Sequence, residues 1–207
     1  MQIIPVPVSG VIDTLSYFYA AEDFSAFLID PGAEADKLKR IAAEKTLAVK
    51  AILLTHSHYD HIGAAGELAT FWNIPVYGGI NAKKNAEDPK RNLSAFMNSS
   101  YSLENVEEKE EGSILKLDEN HSLKVIETPG HTTDGVIYYD KAHDVAFVGD
   151  TIFENSYGRT DLPGGNEEAL FKSIKEKVFA LPDNTTLFSG HPTPTTVATE
   201  KTCIYYR

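Results

Sequence analysis

Six consecutive residues, His56-Ser57-His58-Tyr59-Asp60-His61, carry four side chains able to bind a metal ion. They follow the apolar run Ala51-Ile52-Leu53-Leu54-Thr55, which reads as a buried strand. A loop leaving a strand end can aim all four into one cleft. Imidazole nitrogens mixed with carboxylate oxygens are a donor set that suits zinc, iron or manganese. A single buried histidine is ordinarily a core residue, but four such groups at this density are not.

Four donors do not close two metal sites, so further ligands are required, each at a strand end followed by a turn. Three places have that form. Thr128-Pro129-Gly130-His131 follows a strand ending at Ile126, Gly149-Asp150 follows Val145 to Val148, and Gly190-His191 follows Thr186 to Phe188. The remaining histidines, His121 and His143, sit among polar neighbours and read as exposed turns without function, tolerant of substitution.

The elements that must position these residues read as strands at Gln2 to Val8, Leu15 to Tyr19, Ser25 to Ile29, Val49 to Thr55, Val76 to Tyr77, Ile114 to Leu117, Ser122 to Ile126, Val136 to Tyr139, Val145 to Val148 and Thr186 to Phe188. Helices are expected over Ala33 to Leu47, about Ile62 to Trp72 and about Glu167 to Ala180. Strands then helix thus occurs twice, with no repeated sequence and no linker, so the expectation is one domain over residues 1–207. Residues 79–112 are polar and end in the charge run Glu104 to Glu111, which reads as a solvated insertion with some helix.

Composition narrows the partners. With 19 Lys plus Arg against 30 Asp plus Glu, the net charge of −11 repels a phosphate backbone, so nucleic acid is not expected. No run approaches the roughly 18 apolar residues that span a bilayer. The single cysteine, Cys203, forms no intramolecular disulfide, and the start Met1-Gln2-Ile3-Ile4-Pro5 lacks a basic region followed by an apolar run, so a cytoplasmic protein is expected.

Six segments together resemble the metallo-β-lactamase superfamily, and within it small glyoxalase II-like hydrolases: Asp30-Pro31-Gly32, Thr55 to Gly63, Thr128 to Thr132, Gly149-Asp150-Thr151, Gly158-Arg159-Thr160-Asp161 and Ser189-Gly190-His191. The resemblance implies a four-layer αββα sandwich with a metal pair at one edge. It implies that His56, His58 and His131 hold one metal, that Asp60, His61 and His191 hold the second, and that Asp150 bridges them. Two divalent ions about 3.5–4 Å apart can share a hydroxide and polarise the carbonyl it attacks. Zinc is the default, with iron or manganese also suited. Asp60 and Asp150 are the expected catalytic residues, Asp60 because it can also orient the hydroxide.

The expected substrate is a small-molecule thioester such as S-lactoylglutathione. Tyr157 and Arg159 follow Asp150 by seven and nine residues, on a loop bordering the metals. A guanidinium there can bind a substrate carboxylate, as basic and aromatic residues in this segment of glyoxalase II do, unless Arg159 merely pairs with Asp161. The alternative on the same fold is a persulfide dioxygenase, with one iron on His56, His131 and Asp150. A β-lactamase would not normally carry the bridging Asp150. The carboxy-terminal helical region of longer glyoxalase II enzymes is not expected here, and Pro192-Thr193-Pro194 stands where the family usually has a glycine-containing turn beside His191.

Overall fold

The computed structural model describes residues 1–97, 99–190 and 193–203. The first of its two main sheets runs in chain order through β1 (Gln2–Val8), β2 (Thr14–Ala20), β3 (Ser25–Ile29), β4 (Ala48–Leu53), β5 (Val76–Gly78) and β6 (Val106–Glu108). From β3 onward the strands are parallel, which requires crossovers. These contain α1 (Ala35–Glu44), the pair α2 (Tyr59–Ile62) and α3 (Ala65–Trp72), and α4 (Ala82–Glu87) with a 3-10 turn at Ser94–Met97.

The second sheet begins with β7 (Ile114–Lys116), β8 (Ser122–Glu127), β9 (Val136–Asp140) and β10 (Val145–Gly149). A small hairpin follows, β11 (Ile152–Phe153) with β12 (Ser156–Tyr157), then α5 (Glu167–Ser173), which continues as a π turn over Ile174–Val178. The chain ends in β13 (Thr186–Ser189), β14 (Thr195–Thr196) and α6 (Val197–Lys201). The strand order is β14-β13-β10-β9-β8-β7, with β10 and β13 parallel.

Strand residues alternate between two buried faces, and that alternation makes the layers. Phe18, Leu28 and Ile52 point outward under α1, α3 and α4, while Tyr17, Tyr19, Phe27, Ile29 and Leu53 point inward at the other sheet. The second sheet answers with Val125, Val136, Tyr138 and Phe147 inward, and Ile137, Ala146 and Val148 outward under Leu170, Ile174 and Val178. Three apolar layers therefore separate four layers of structure, an αββα sandwich. Each fully buried large side chain contributes about 1.5–3 kcal/mol, so both faces of both sheets are well anchored.

Three expectations need correction. The helix expected over Ala33 to Leu47 is shorter, bounded by left-handed Glu34 (φ +53°) and Thr46 (φ +56°). The Glu34 carboxylate is drawn instead to the Ser9 amide and the Lys37 ammonium, tying α1 to the end of β1. The helix expected near Ile62 to Trp72 is split at Gly63-Ala64, because the Ala64 amide donates to the Pro31 carbonyl. A Cβ on Gly63 would lie 2.4 Å from the Gly32 carbonyl oxygen, so the backbones cross too closely for any other residue. The charge run 104–111 contains β6, where Val106 is buried while Glu107 and Glu108 face water. One inward residue suffices for an edge strand this short, and leaves no alternation to read.

Candidate metal centre

The six-residue cluster leaves β4 at the edge between the two sheets. Asp30, at the end of β3 with φ +49°, holds that exit. Its Oδ1 accepts from the Thr55 amide (2.8 Å) and its Oδ2 from the Thr55 hydroxyl (2.6 Å) and His61 Nδ1 (3.0 Å). From the opposite sheet the Val136 amide donates to the Thr55 carbonyl (2.8 Å). His56, His58 and His61 then enter the interior almost fully buried.

His131 arrives from the second sheet on a loop seated against α5. The Asn166 amide donates to the Gly130 carbonyl (2.7 Å), and the Ser173 hydroxyl to the Pro129 carbonyl (2.7 Å). Gly130 has φ +140°, and a Cβ there would fall 2.2 Å from the Leu170 amide nitrogen, so only glycine permits this seating.

The far nitrogen of each ring shows which nitrogen carries a lone pair. The Thr55 hydroxyl gives its one proton to Asp30, so it can only accept from His56 Nδ1 (3.2 Å), leaving the lone pair at Nε2. The Arg159 carbonyl only accepts, so His131 Nδ1 donates to it (2.7 Å) and its lone pair is likewise at Nε2. His61 donates Nδ1–H to Asp30. Such partners fix tautomer and ring orientation in metal-binding histidines.

Those nitrogens converge. His58 Nδ1 lies 3.1 Å from His56 Nε2 and 2.9 Å from His131 Nε2. Burial, and then the neighbouring His131, push the His58 imidazole well below the usual histidine range, so it stays neutral. The Nε2 atoms of His56 and His131 turn lone pairs toward His58 Nδ1, whose single proton can serve only one of them, whereas a shared cation would satisfy all three nitrogens. Four ligands at 2.0–2.1 Å around zinc would lie about 3.3 Å apart, close to these separations. The site therefore fits a metal ion.

The second grouping contains His56, His61 and Asp150. His61 Nε2 lies 3.3 Å from Asp150 Oδ1 and 3.7 Å from Asp60 Oδ2. Asp150 Oδ2 lies 3.7 Å from His131 Nε2, so the two oxygens of one carboxylate face the two groupings. Burial opposes a charge on His61, but Asp150 and Asp60 outweigh it and hold this imidazole well above the usual range in the metal-free chain. Burial raises Asp60.

His191 lies outside the described residues, as does Pro192. The chain approaching them is anchored through the Leu15 amide to the Gly190 carbonyl (2.9 Å) and the Gly190 amide to the Gly149 carbonyl (3.1 Å). A Cβ on Gly190 would lie 2.5 Å from His61 Cε1 and 2.8 Å from Asp150 Oδ1, so this backbone runs directly over the second grouping.

Tyr157 is half-buried, its ring 4.8 Å from that of Phe171. Arg159 is exposed, and its guanidinium makes two 2.7 Å bonds to Asp161, which lower that carboxyl to about 2. The ion pair that the sequence offered as the alternative is therefore present. Sequence reasoning missed the Asp30 anchor, although Asp30-Pro31-Gly32 is one of the segments that carry the family resemblance. It also missed the Arg159 carbonyl, which no residue type signals.

His121 is a further correction. It is only 3% exposed, held by Asp118 at Nδ1 (2.8 Å) and Glu22 at Nε2 (3.1 Å), and stacked parallel to His143. Of its polar neighbours in sequence Asp118 turns out to be a hydrogen-bond partner, and Glu22, from the turn between β2 and β3, is the other. His143 is the exposed member of the pair, its Nδ1 2.6 Å from Asp140. Neither joins a metal-binding grouping among the described residues.

A sequence profile of the metallo-beta-lactamase superfamily matches residues 9–191, and the chain belongs to that superfamily. It is 40% identical to a probable metallo-hydrolase, YqgX, of Bacillus subtilis over 93% of this chain and 91% of that protein. It is 34% identical to the hydroxyacylglutathione hydrolase GloC of Haemophilus influenzae over 97% and 95%. Among solved structures, BLEG-1, a B3 metallo-beta-lactamase, superposes with a TM-score of 0.90 at 33% identity, covering 99% of both chains. TTHA1623 in a di-iron-bound form gives 0.86 at 32% over 97% and 98%. ETHE1 from Myxococcus xanthus gives 0.81 at 30% over 98% and 83%. Among the described residues no helix is long and apolar enough to cross a membrane.

Proposed function

We propose that this chain is a dinuclear metal-dependent hydrolase of small-molecule thioesters, glutathione-linked ones foremost. His56, His58 and His131 would hold one ion, Asp60, His61 and His191 the other, and Asp150 would bridge them. The carrying observation is the Asp150 carboxylate, whose oxygens face His61 on one side and His131 on the other. Zinc is the expected metal. TTHA1623, crystallised with two irons, supports both the pair and iron as an occupant.

A metal pair supplies Lewis acidity, which makes water nucleophilic near neutral pH and polarises a carbonyl. The chain's residues do the rest. Asp30, Thr55 and the Arg159 carbonyl keep the lone pairs of His61, His56 and His131 turned inward. Asp60, beside His61, would orient the attacking water and take up its proton. GloC supports a hydroxyacyl thioester as substrate. Arg159 would leave Asp161 to receive a substrate carboxylate, an exchange made cheap by exposure of both side chains.

The second reading, a persulfide dioxygenase with one iron on His56, His131 and Asp150, gives no metal role to His61, whose ring is nevertheless held by Asp30 with Nε2 toward Asp150 and Asp60. Metal analysis after reconstitution should find two ions per chain, and thioester hydrolysis should exceed both persulfide-dependent oxygen uptake and β-lactam opening. The last arm matters because BLEG-1 is described as a β-lactamase. Asp150→Ala should lose one ion and orders of magnitude in turnover. Arg159→Ala should raise KM about tenfold for a glutathione thioester and leave a small neutral one nearly unchanged. A single iron per chain with persulfide oxidation would replace this reading by the second.

A further inference from the structure

We propose that Asp134 is a positioning residue for the metal centre, clamping the His56-Ser57-His58 segment to the His131 loop through Ser57 and Asn85. The inference rests on reading the histidine cluster as a metal site. Asp134 touches none of the assigned ligands, and no motif pointed to it.

The geometry is specific. Asp134 is buried, 2% exposed. Its Oδ2 accepts from the Ser57 hydroxyl (2.6 Å) and its Oδ1 from Asn85 Nδ2 (2.7 Å). Asn85 Nδ2 also donates to the Thr133 hydroxyl (3.0 Å), and Asn85 Oδ1 accepts from Arg91 Nη1 (3.5 Å). One carboxylate thus joins the β4 exit loop, the loop after His131 and α4. Burial raises its pKa, and these hydrogen bonds oppose the rise. A polar group placed in such surroundings is costly, and it persists when its partners are fixed.

Its location supplies the function. Ser57 stands between His56 and His58, and Asp134 follows His131 by three residues. Those three rings provide the nitrogens that meet within about 3 Å. Without an ion, the single proton of a neutral His58 can serve at most one of the two lone pairs turned toward its Nδ1, so the other favours separation of the two loops. The Ser57–Asp134 bond resists that separation on the side away from the ring nitrogens, so the loops stay set before the ion arrives. Preorganisation of this kind appears as affinity.

Complementary substitutions separate clamping from general stability. In Asp134→Asn an amide oxygen can still accept from Ser57, but the new NH2 meets the Asn85 NH2. Asn85 cannot turn over without aiming its NH2 at Arg91. The reciprocal swap Asp134→Asn with Asn85→Asp restores a donor to an acceptor at the same place. Ser57→Ala is the milder variant, removing the link and leaving Asp134 bonded to Asn85.

The test is chelator-competition titration of metal-stripped protein with Co(II), with the visible spectrum recorded at each point and Tm of the stripped protein measured alongside. Ser57→Ala and Asp134→Asn should weaken binding of the first ion about ten- to a hundredfold and lower the intensity of the ligand-field bands, and the reciprocal swap should restore both. If Asp134→Asn does not fold, Ser57→Ala and the swap still decide. Wild-type affinity and spectrum in Ser57→Ala, or a swap that recovers Tm but not metal affinity, would overturn the positioning role. Failure of the wild-type chain to bind Co(II) would instead overturn the metal-centre reading beneath it.

Discussion

Replacing Asp30 by Asn changes one oxygen to an NH2 and should weaken binding of a metal ion that Asp30 itself would not ligate. The native carboxylate accepts three hydrogen bonds, from the Thr55 amide, the Thr55 hydroxyl and His61 Nδ1. If the amide oxygen stays on the Thr55 amide, the new NH2 faces the Thr55 hydroxyl and His61. The hydroxyl can rotate to accept. His61 cannot accept while Nδ1 carries a proton, so the neutral ring that a metal needs would keep its one proton on Nε2, the nitrogen facing Asp150 and Asp60. The lone pair offered to a metal is then lost. Partners of this type affect metal affinity about ten- to a hundredfold, or about 1.4–2.7 kcal/mol. Losing a hydrogen bond to a buried charged group also costs roughly 1.5–3 kcal/mol in stability, a fall in Tm of roughly 3–12 °C for a chain of this size. Titrating stripped Asp30→Asn with Zn(II) against a competing chelator should show one ion bound nearly as in wild type and the second much weaker. A second ion bound within threefold of wild-type affinity would refute the tautomer argument.

Two further outcomes follow from the same geometry. Because His61 is held well above the usual histidine range in the stripped protein, it carries a proton at pH 7 that the second ion must displace. Affinity for that ion should therefore rise with pH, about tenfold per unit until His61 is neutral, and calorimetry in buffers of different protonation enthalpy should count about one proton released. No dependence on buffer would contradict it. His121→Ala should lower stability through the cavity left by a buried ring that packs against Tyr19 and His143, read as a fall in Tm, while metal content stays at the wild-type value. Loss of a metal in that variant would show that a ligand has been misread.

The site was legible because each supposed ligand follows a strand that alternates or runs continuously apolar, then a small residue. His56 after β4, His131 after β8 and Asp150 after β10 obey this rule, and the structure brings them within a few ångströms. The parts that were not legible lack such a local signature. The break at Gly63 arises where it crosses Gly32, thirty-one positions away. The acceptor for His131 is a backbone carbonyl, identical in every residue type. His121 looked exposed because its neighbours are polar, but Glu22 comes from a distant loop to cover it.

The sequence by itself determined the donor set, the acidic character and the alternation that makes two sheets with buried faces. These are properties of residue type and short-range period, and the chain order preserves them. Only the tertiary structure decided which nitrogen of each ring faces inward, which oxygen of Asp150 faces which grouping, and that Asp30 and Asp134 stand behind the ligands. A hydrogen bond depends on donors and acceptors meeting at about 3 Å with the right direction. Residues such as Ser57 and Asp134, seventy-seven positions apart, meet that condition only after the two sheets have packed.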